Sequence, residues 1–232
     1  MIEGALSAGA VLAGALAYGM YSPNSRLFGP VIGRGPAESR AIYLTFDDGP
    51  SLSATESILG TLDERRAPAA FFLLGKHVER HPELARHLAE AGHEIGNHTY
   101  RHRKLHLRGP GWIARELRTA HEVIAAASRR EPRAFRAPHG LHNPFVHASA
   151  RALGYTMFGW TLGVWDSDRP GAEAIRRRVR EGLRPGAIVL LHDGDGYDPD
   201  GDRSQTAAAL PGIIDDARGA GYEIRPIGDL IP

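Results

Sequence analysis

The sequence predicts an α/β domain of mostly parallel strands joined by crossover helices, on three observations. Apolar runs of strand length alternate with helix-patterned stretches from residue 40 onward, polar clusters fall at the ends of those runs, and no short fixed-period repeat is present. The strand-length runs are 41–46, 69–74, 94–96, 134–136, 155–161, 187–191 and 222–227. The helix-like stretches are 52–64, 82–91, 111–128, 145–153, 172–182 and 205–220, the last interrupted by Pro211. The clearest is 111–128, where Ile113, Leu117, Ala120 and Ile124 share one face and Pro110 suits the first turn. Such alternation builds either an open sheet or a closed (β/α) barrel, and the missing repeat argues against a solenoid.

At 232 residues, 42% hydrophobic and 24% charged, the chain suits one barrel-sized domain. Lys+Arg 28 against Asp+Glu 27 leaves a net charge of +1, with no basic run interleaved with aromatics. Nucleic acid is therefore not an expected partner. Cysteine is absent, which removes disulfides, thiolate metal sites and Cys nucleophiles together. Any metal must be held by His, Asp, Glu or water.

Residues 2–21 carry a single charge, Glu3, among Ala, Gly, Leu, Val and Met. Their length suits a bilayer span, and Ala15-Leu16-Ala17 suits a small-residue cleavage site. The missing Lys/Arg flank and the abundant Gly and Ala fit a packed N-terminal helix instead. The expectation is a membrane anchor or export signal over 1–21, with the protein at the cell envelope or secreted. A linker is expected over 22–39, where Pro23, Asn24, Gly29, Pro30, Gly33, Gly35 and Pro36 crowd together, and one folded domain over 40–232.

Reactive groups in barrels sit on loops after the carboxyl ends of strands, and five polar groups fall there. They are Asp47-Asp48, His98, Arg136, Asp166 and His192-Asp193. Two adjacent aspartates cannot both point into a barrel mouth from regular strand geometry, so the strand must end between or just before them. His98 and His102, four apart, would face one side of a helical turn and chelate one ion, with Asp48 as a third ligand. No Glu follows His98 directly, which excludes the metalloprotease H-E-x-x-H pattern. Taken singly, each signal has a bland alternative: Asp-Gly as a turn, two histidines as a solvated face, Arg136 as a surface loop residue, His192 as a cap. The acidic, Gly-rich stretch 193–202 lacks a calcium loop's closing Glu and reads as a flexible rim. Trp112, Trp160 and Trp165 are candidates either for stacking on sugar rings or for core packing.

Together and in this order, Thr45-Phe46-Asp47-Asp48-Gly49-Pro50, His93-Glu94-Ile95-Gly96-Asn97, His98-Thr99-Tyr100-Arg101-His102, Phe135-Arg136-Ala137-Pro138-His139-Gly140 and Leu190-Leu191-His192-Asp193 resemble the polysaccharide deacetylases of carbohydrate esterase family four, the NodB homology domain. The resemblance spans residues 40–227. It implies a distorted (β/α) barrel with about seven strands and one divalent metal ion, most often zinc. It implies Asp47 as general base, Asp48, His98 and His102 as metal ligands, and Arg136 as the group orienting Asp47. His192 would be the general acid with Asp166 behind it, Leu190 would line the acetyl pocket, the His139 backbone N–H would face the oxyanion, and Trp165 would lie on the substrate side. The activity implied is metal-dependent removal of N-acetyl groups from a peptidoglycan-like or chitin-like amino-sugar polymer or oligomer by a monomer, releasing acetate. Two alternatives remain at this point: a deacylase of a non-polymeric amide, lipid-linked sugar or O-acetyl ester, and an inactive glycan-binding protein on the same fold. The chain departs from the family pattern at His139, where an aromatic is common, and at Gly163 and Ser167, where Asp and Trp are common. The last two changes thin the expected support around Asp166 and Arg136.

Overall fold

A computed structural model describes residues 2–232, with side chains from residue 9 onward. The chain opens with α1 (Ile2–Tyr21), followed by β1 (Ala41–Asp47), α2 (Thr55–Glu64), β2 (Ala69–Leu73), α3 (Gly75–Arg80), α4 (Pro82–Glu90) and β3 (Glu94–Asn97). Next come α5 (Pro110–Ser128), β4 (Ala134–Phe135), α6 (Pro144–Ala152), β5 (Thr156–Met157) and β6 (Leu162–Gly163). The last elements are α7 (Ala172–Gly182), β7 (Ala187–His192), α8 (Ser204–Gly219) and β8 (Glu223–Ile224). The strands form one parallel sheet in the order β5-β4-β3-β2-β1-β7-β6, with the short β8 pairing alongside the start of β1. The sheet curls into a distorted (β/α) barrel with helices packed outside, as the resemblance implies.

Alternation along the strands separates two cores. Outward-facing Ile42, Leu44, Phe46, Phe71, Val189 and Leu191 pack with the helices. Inward-facing Tyr43, Phe72, Ala134, Phe158 and Ile188 fill the barrel. The Phe46 and Phe71 rings stack with centroids 5.0 Å apart. Burying such a side chain stabilises the fold by about 1.5–3 kcal/mol. Thr45 and Asp47 share the parity of Tyr43, and Leu190 and His192 that of Ile188, so period two turns them into the barrel. His98 continues the inward register of Gly96, and Arg136 that of Ala134.

Three local expectations change. The run 155–161 is not one strand: β5 lies at one edge of the sheet and β6 at the other, and residues 158–161 cross between them. A single strand cannot pair at both edges, so the chain bends where the barrel fails to close. The helix α8 continues through Pro211, because Leu210, Ile213 and Ile214 are fully buried and tertiary packing outweighs one missing backbone bond. The short helix α3 has no counterpart among the helix-patterned stretches, being only 6 residues long.

Residues 22–39 are irregular, as their breakers predict, yet they lie against the barrel. Ile32 bridges Phe158, Arg34 bridges Ala187, and the Gly35 N–H donates to the Gly186 carbonyl at 2.8 Å. From Gly9 to Tyr18, α1 is exposed. Among the described residues, no helix is long and apolar enough to cross a membrane.

Candidate active site

Strand β1 ends at Asp47, and Asp48 takes a left-handed backbone with φ 72°. That turn breaks the strand alternation and brings both carboxylates to one side. Asp48 is secured by a residue that no sequence motif marked: the buried His77 of α3 donates from Nδ1 to the Asp48 carbonyl at 2.7 Å. The His98–His102 segment is not a helical turn. It is a loop with left-handed Thr99 (φ 74°) and His102 (φ 55°), braced where Asn97 Oδ1 accepts from the Thr99 N–H at 2.7 Å. The Asn97 amide in turn donates to the Leu117 carbonyl and to the Tyr155 hydroxyl, each at 2.9 Å. The two imidazoles converge because the loop folds back on itself, a geometry that spacing alone does not specify.

Ligand atoms of Asp48, His98 and His102, all buried, lie within 4.8 Å of one another. His98 donates from Nδ1 to the Arg136 carbonyl at 2.8 Å, which leaves its Nε2 a bare lone pair. Asp48 Oδ1 lies 3.5 Å from that Nε2 and 3.2 Å from His102 Nε2, yet among the described residues this buried oxygen has no hydrogen-bond partner. An orphaned carboxylate oxygen facing imidazole nitrogens fits a cation, which satisfies all of them at once. Burial drives the His98 pKa well below the ordinary imidazole range and His102 down to about 3, so both imidazoles are neutral, the form a metal would need. Burial pushes Asp47 and Asp48 up to about 6, against the lowering charges of Arg136 on Asp47 and of His192 on Asp48. A cation among them would pull both back down.

Arg136 is completely buried and donates from Nη1 to Asp47 Oδ1 at 2.7 Å and to Thr45 Oγ1 at 2.9 Å. Its Nη2 donates to the Gly159 carbonyl at 2.9 Å, and the guanidinium lies 4.2 Å over the Phe72 ring. Among the described residues, Arg136 Nε has no hydrogen-bond partner. Across the cleft, His192 Nδ1 meets Asp166 Oδ1 at 2.8 Å. Asp166 Oδ2 accepts from the His192 N–H and from Thr206 Oγ1, both at 2.8 Å. Burial opposes the charge on Asp166, but the His192 charge and these hydrogen bonds hold its pKa below the ordinary value.

His139 has a left-handed backbone (φ 58°), and its ring stands 4.6 Å from that of His102, with Nε2 2.9 Å from the Tyr197 hydroxyl. It lies beside the Asp48–His98–His102 cluster rather than within it. These groups face a cavity of about 540 Å³, which Trp160, Trp165, Leu190 and Tyr197 also line. Trp165 sits at its exposed rim, whereas Trp112 packs on the core formed by α5, α6 and β5. The stretch 193–202 is firmly held at its start: Arg203 donates to the Gly194 carbonyl and to Asp195 Oδ2, and Lys76 to the Gly196 carbonyl. A methyl group at Gly196 would collide with the His102 imidazole. Gly196→Ala is therefore expected to weaken divalent-metal binding about ten- to a hundredfold in calorimetric titration. Unchanged affinity would show that the loop yields freely.

A parallel barrel whose strand ends gather a two-histidine, one-carboxylate cluster beside a second carboxylate and a carboxylate-backed imidazole has the construction of a metal-assisted hydrolase. The chain belongs to the polysaccharide deacetylase family, which it matches over residues 34–158. It is 39% identical to a chitooligosaccharide deacetylase of Bradyrhizobium sp. (strain ANU 289), over 83% of this chain and 91% of that one. It is 34% identical to a peptidoglycan-N-acetylglucosamine deacetylase of Bacillus cereus, over 84% and 90%. Among solved structures, a peptidoglycan N-acetylglucosamine deacetylase superposes with a TM-score of 0.81 at 27% identity, over 87% of this chain and 92% of the other. A family-four pseudoenzyme from Bacillus anthracis superposes with 0.79 at 28% identity, over 87% and 68%.

Proposed function

We propose that this chain is a metal-dependent N-deacetylase of amino-sugar polymers or oligomers of the peptidoglycan or chitin type, releasing acetate. The observation that carries the reading is the convergence of Asp48, His98 and His102 on one point beside Asp47, with the orphaned Asp48 oxygen facing the imidazoles. Since one solved relative is a pseudoenzyme, the fold does not decide activity. The chain's own acid–base groups favour catalysis over glycan binding alone, and the relatives that act on chitooligosaccharide and peptidoglycan favour an N-acetylated glycan. Action on such substrates supports a location at the cell envelope or outside it.

In this reading Asp48, His98 and His102 hold one divalent cation, zinc being the first choice for a mixed nitrogen and oxygen set. When bound, the cation polarises the amide carbonyl and makes the attacking water more acidic. Asp47 takes the proton from that water at its carboxylate, and Arg136 keeps the carboxylate charged and aimed. The His139 backbone N–H supports the developing oxyanion. His192, backed by Asp166, gives its proton to the departing amine nitrogen, so that the carbon–nitrogen bond breaks to leave acetate and a free amino sugar. Leu190 packs against the acetyl methyl, and the exposed Trp165 offers its face to a sugar ring.

The purified protein is expected to release acetate from chitooligosaccharides or peptidoglycan, to lose that activity with a chelator and to regain it with added zinc. Absence of acetate release from every acylated glycan offered would overturn the reading. Release from O-acetylated glycans alone would shift it to an esterase.

A further inference from the structure

The seam between β5 and β6, where the barrel fails to close, is filled by residues 22–34, the stretch whose composition suggests only a tether. Asn24 is its key contact. The Asn24 side chain accepts from the Trp160 N–H at 3.2 Å and donates to the Trp160 carbonyl at 2.8 Å, so one amide satisfies both backbone groups of one residue. It fits because Gly33 and Gly159 have no side chain; a methyl group on either would collide with the Asn24 amide. Flanking bonds fix the same crossing segment: the Gly159 N–H donates to the Ile32 carbonyl at 3.0 Å, and Thr161 Oγ1 to the Gly33 carbonyl at 2.6 Å.

Two groups of the site depend on that segment. The Gly159 carbonyl holds Arg136 Nη2 at 2.9 Å, and Arg136 holds Asp47. The Trp160 indole lines the cavity, wedged between Gly140, just after His139, and Gly163 of β6. A methyl group at Gly163 would stand 3.3 Å from Trp160 Nε1, so the indole edge packs directly against this glycine. The indole thus packs beside Gly163, and Asn24 keeps it there.

We propose that Asn24 is a positioning residue for the active site: by gripping Trp160 it sets the indole wall of the substrate cavity and, through Gly159, the guanidinium that aims Asp47. The inference rests on the deacetylase reading for its kinetic test but not for its structural one. Small displacements of such supports are costly because catalysis needs reacting groups held within fractions of an ångström.

The experiment uses the full chain with Asn24→Ala, Asn24→Asp, Trp160→Ala and the Asn24→Ala/Trp160→Ala pair. Steady-state acetate release from a chitooligosaccharide gives kcat and KM. In a parallel set carrying Trp112→Phe and Trp165→Phe, iodide quenching reports the exposure of Trp160 alone. Asn24→Ala is expected to lower kcat/KM on the order of tenfold and to raise Trp160 quenching. Asn24→Asp has the same shape but turns the donor facing the Trp160 carbonyl into an acceptor, so it should be no better than Ala. A space-filling role would be rescued by Asp. The double variant should bind substrate no worse than Trp160→Ala alone. Wild-type kinetics in Asn24→Asp, a KM in the pair that rises beyond that of Trp160→Ala, or unchanged Trp160 quenching would overturn the proposal. If the parent protein releases no acetate from any glycan, the function reading fails while the quenching comparison still decides the role of Asn24.

Discussion

Asp47→Asn is expected to lower kcat for acetate release by about a hundred- to ten-thousandfold, the range general-base removal costs, while affinity for added divalent metal stays at the parent level. The amide keeps the shape of the carboxylate and one oxygen for Arg136 Nη1, now 2.7 Å from Asp47 Oδ1, but it cannot take a proton from water. Metal binding should survive because Asp48, His98 and His102 are untouched. Stability should fall as well, since the completely buried Arg136 loses its carboxylate partner. Thermal melting run beside the kinetics separates the two effects. Activity within tenfold of the parent in a folded, metal-loaded Asn variant would remove Asp47 from the role of base.

The second large effect concerns His192. Burial alone would lower its pKa, but the charge and hydrogen bond of Asp166, followed by the charges of Asp48 and Asp47, raise it to about 9. In its proposed role as acid His192 works only while protonated, so kcat should fall as pH rises through that value, and somewhat earlier once a cation offsets the Asp48 charge. Asp166→Asn removes the largest raising influence and should move this alkaline limb to lower pH, with an acidic limb that stays in place. His192→Ala should cost about a hundred- to ten-thousandfold in kcat. A pH–kcat profile whose alkaline limb ignores Asp166→Asn would refute this assignment. Stability follows the same sign. A raised His192 stabilises the fold fully below its ordinary 6.5, and this is lost as pH climbs through about 9. A lowered Asp166 stabilises above its ordinary 3.8 and is lost as pH falls through its depressed value.

Much of the architecture is legible because strand and helix carry different periods. Alternation in β1 marks Ile42, Leu44 and Phe46 as one face and Tyr43, Thr45 and Asp47 as the other, and the structure places the second face inside the barrel. The same parity in β7 and at the ends of β3 and β4 turns His192, His98 and Arg136 inward. What local pattern misses are the groups that act from a distance in the chain. His77 comes from a helix too short to show a period, Thr206 from the first turn of α8, and Tyr197 from an acidic loop whose composition suggests only mobility. His139 illustrates the limit from the other side. Its motif position is visible, but its contact with Tyr197 needs two loops to meet.

The sequence by itself determines the α/β alternation, the strand ends that carry the polar groups, and the adjacency of Asp47 and Asp48, since these follow from short-range periodicity and chain connectivity. Only the tertiary structure decides three further points. The two histidines meet through left-handed loop residues rather than a helical turn, and the run 155–161 divides between two sheet edges. Asn24 reaches Trp160 across 136 positions of sequence. The physical reason is common to all three. A loop's path and a seam's filling are set by which distant backbone groups remain unpaired once the sheet has formed, and no local pattern encodes that choice.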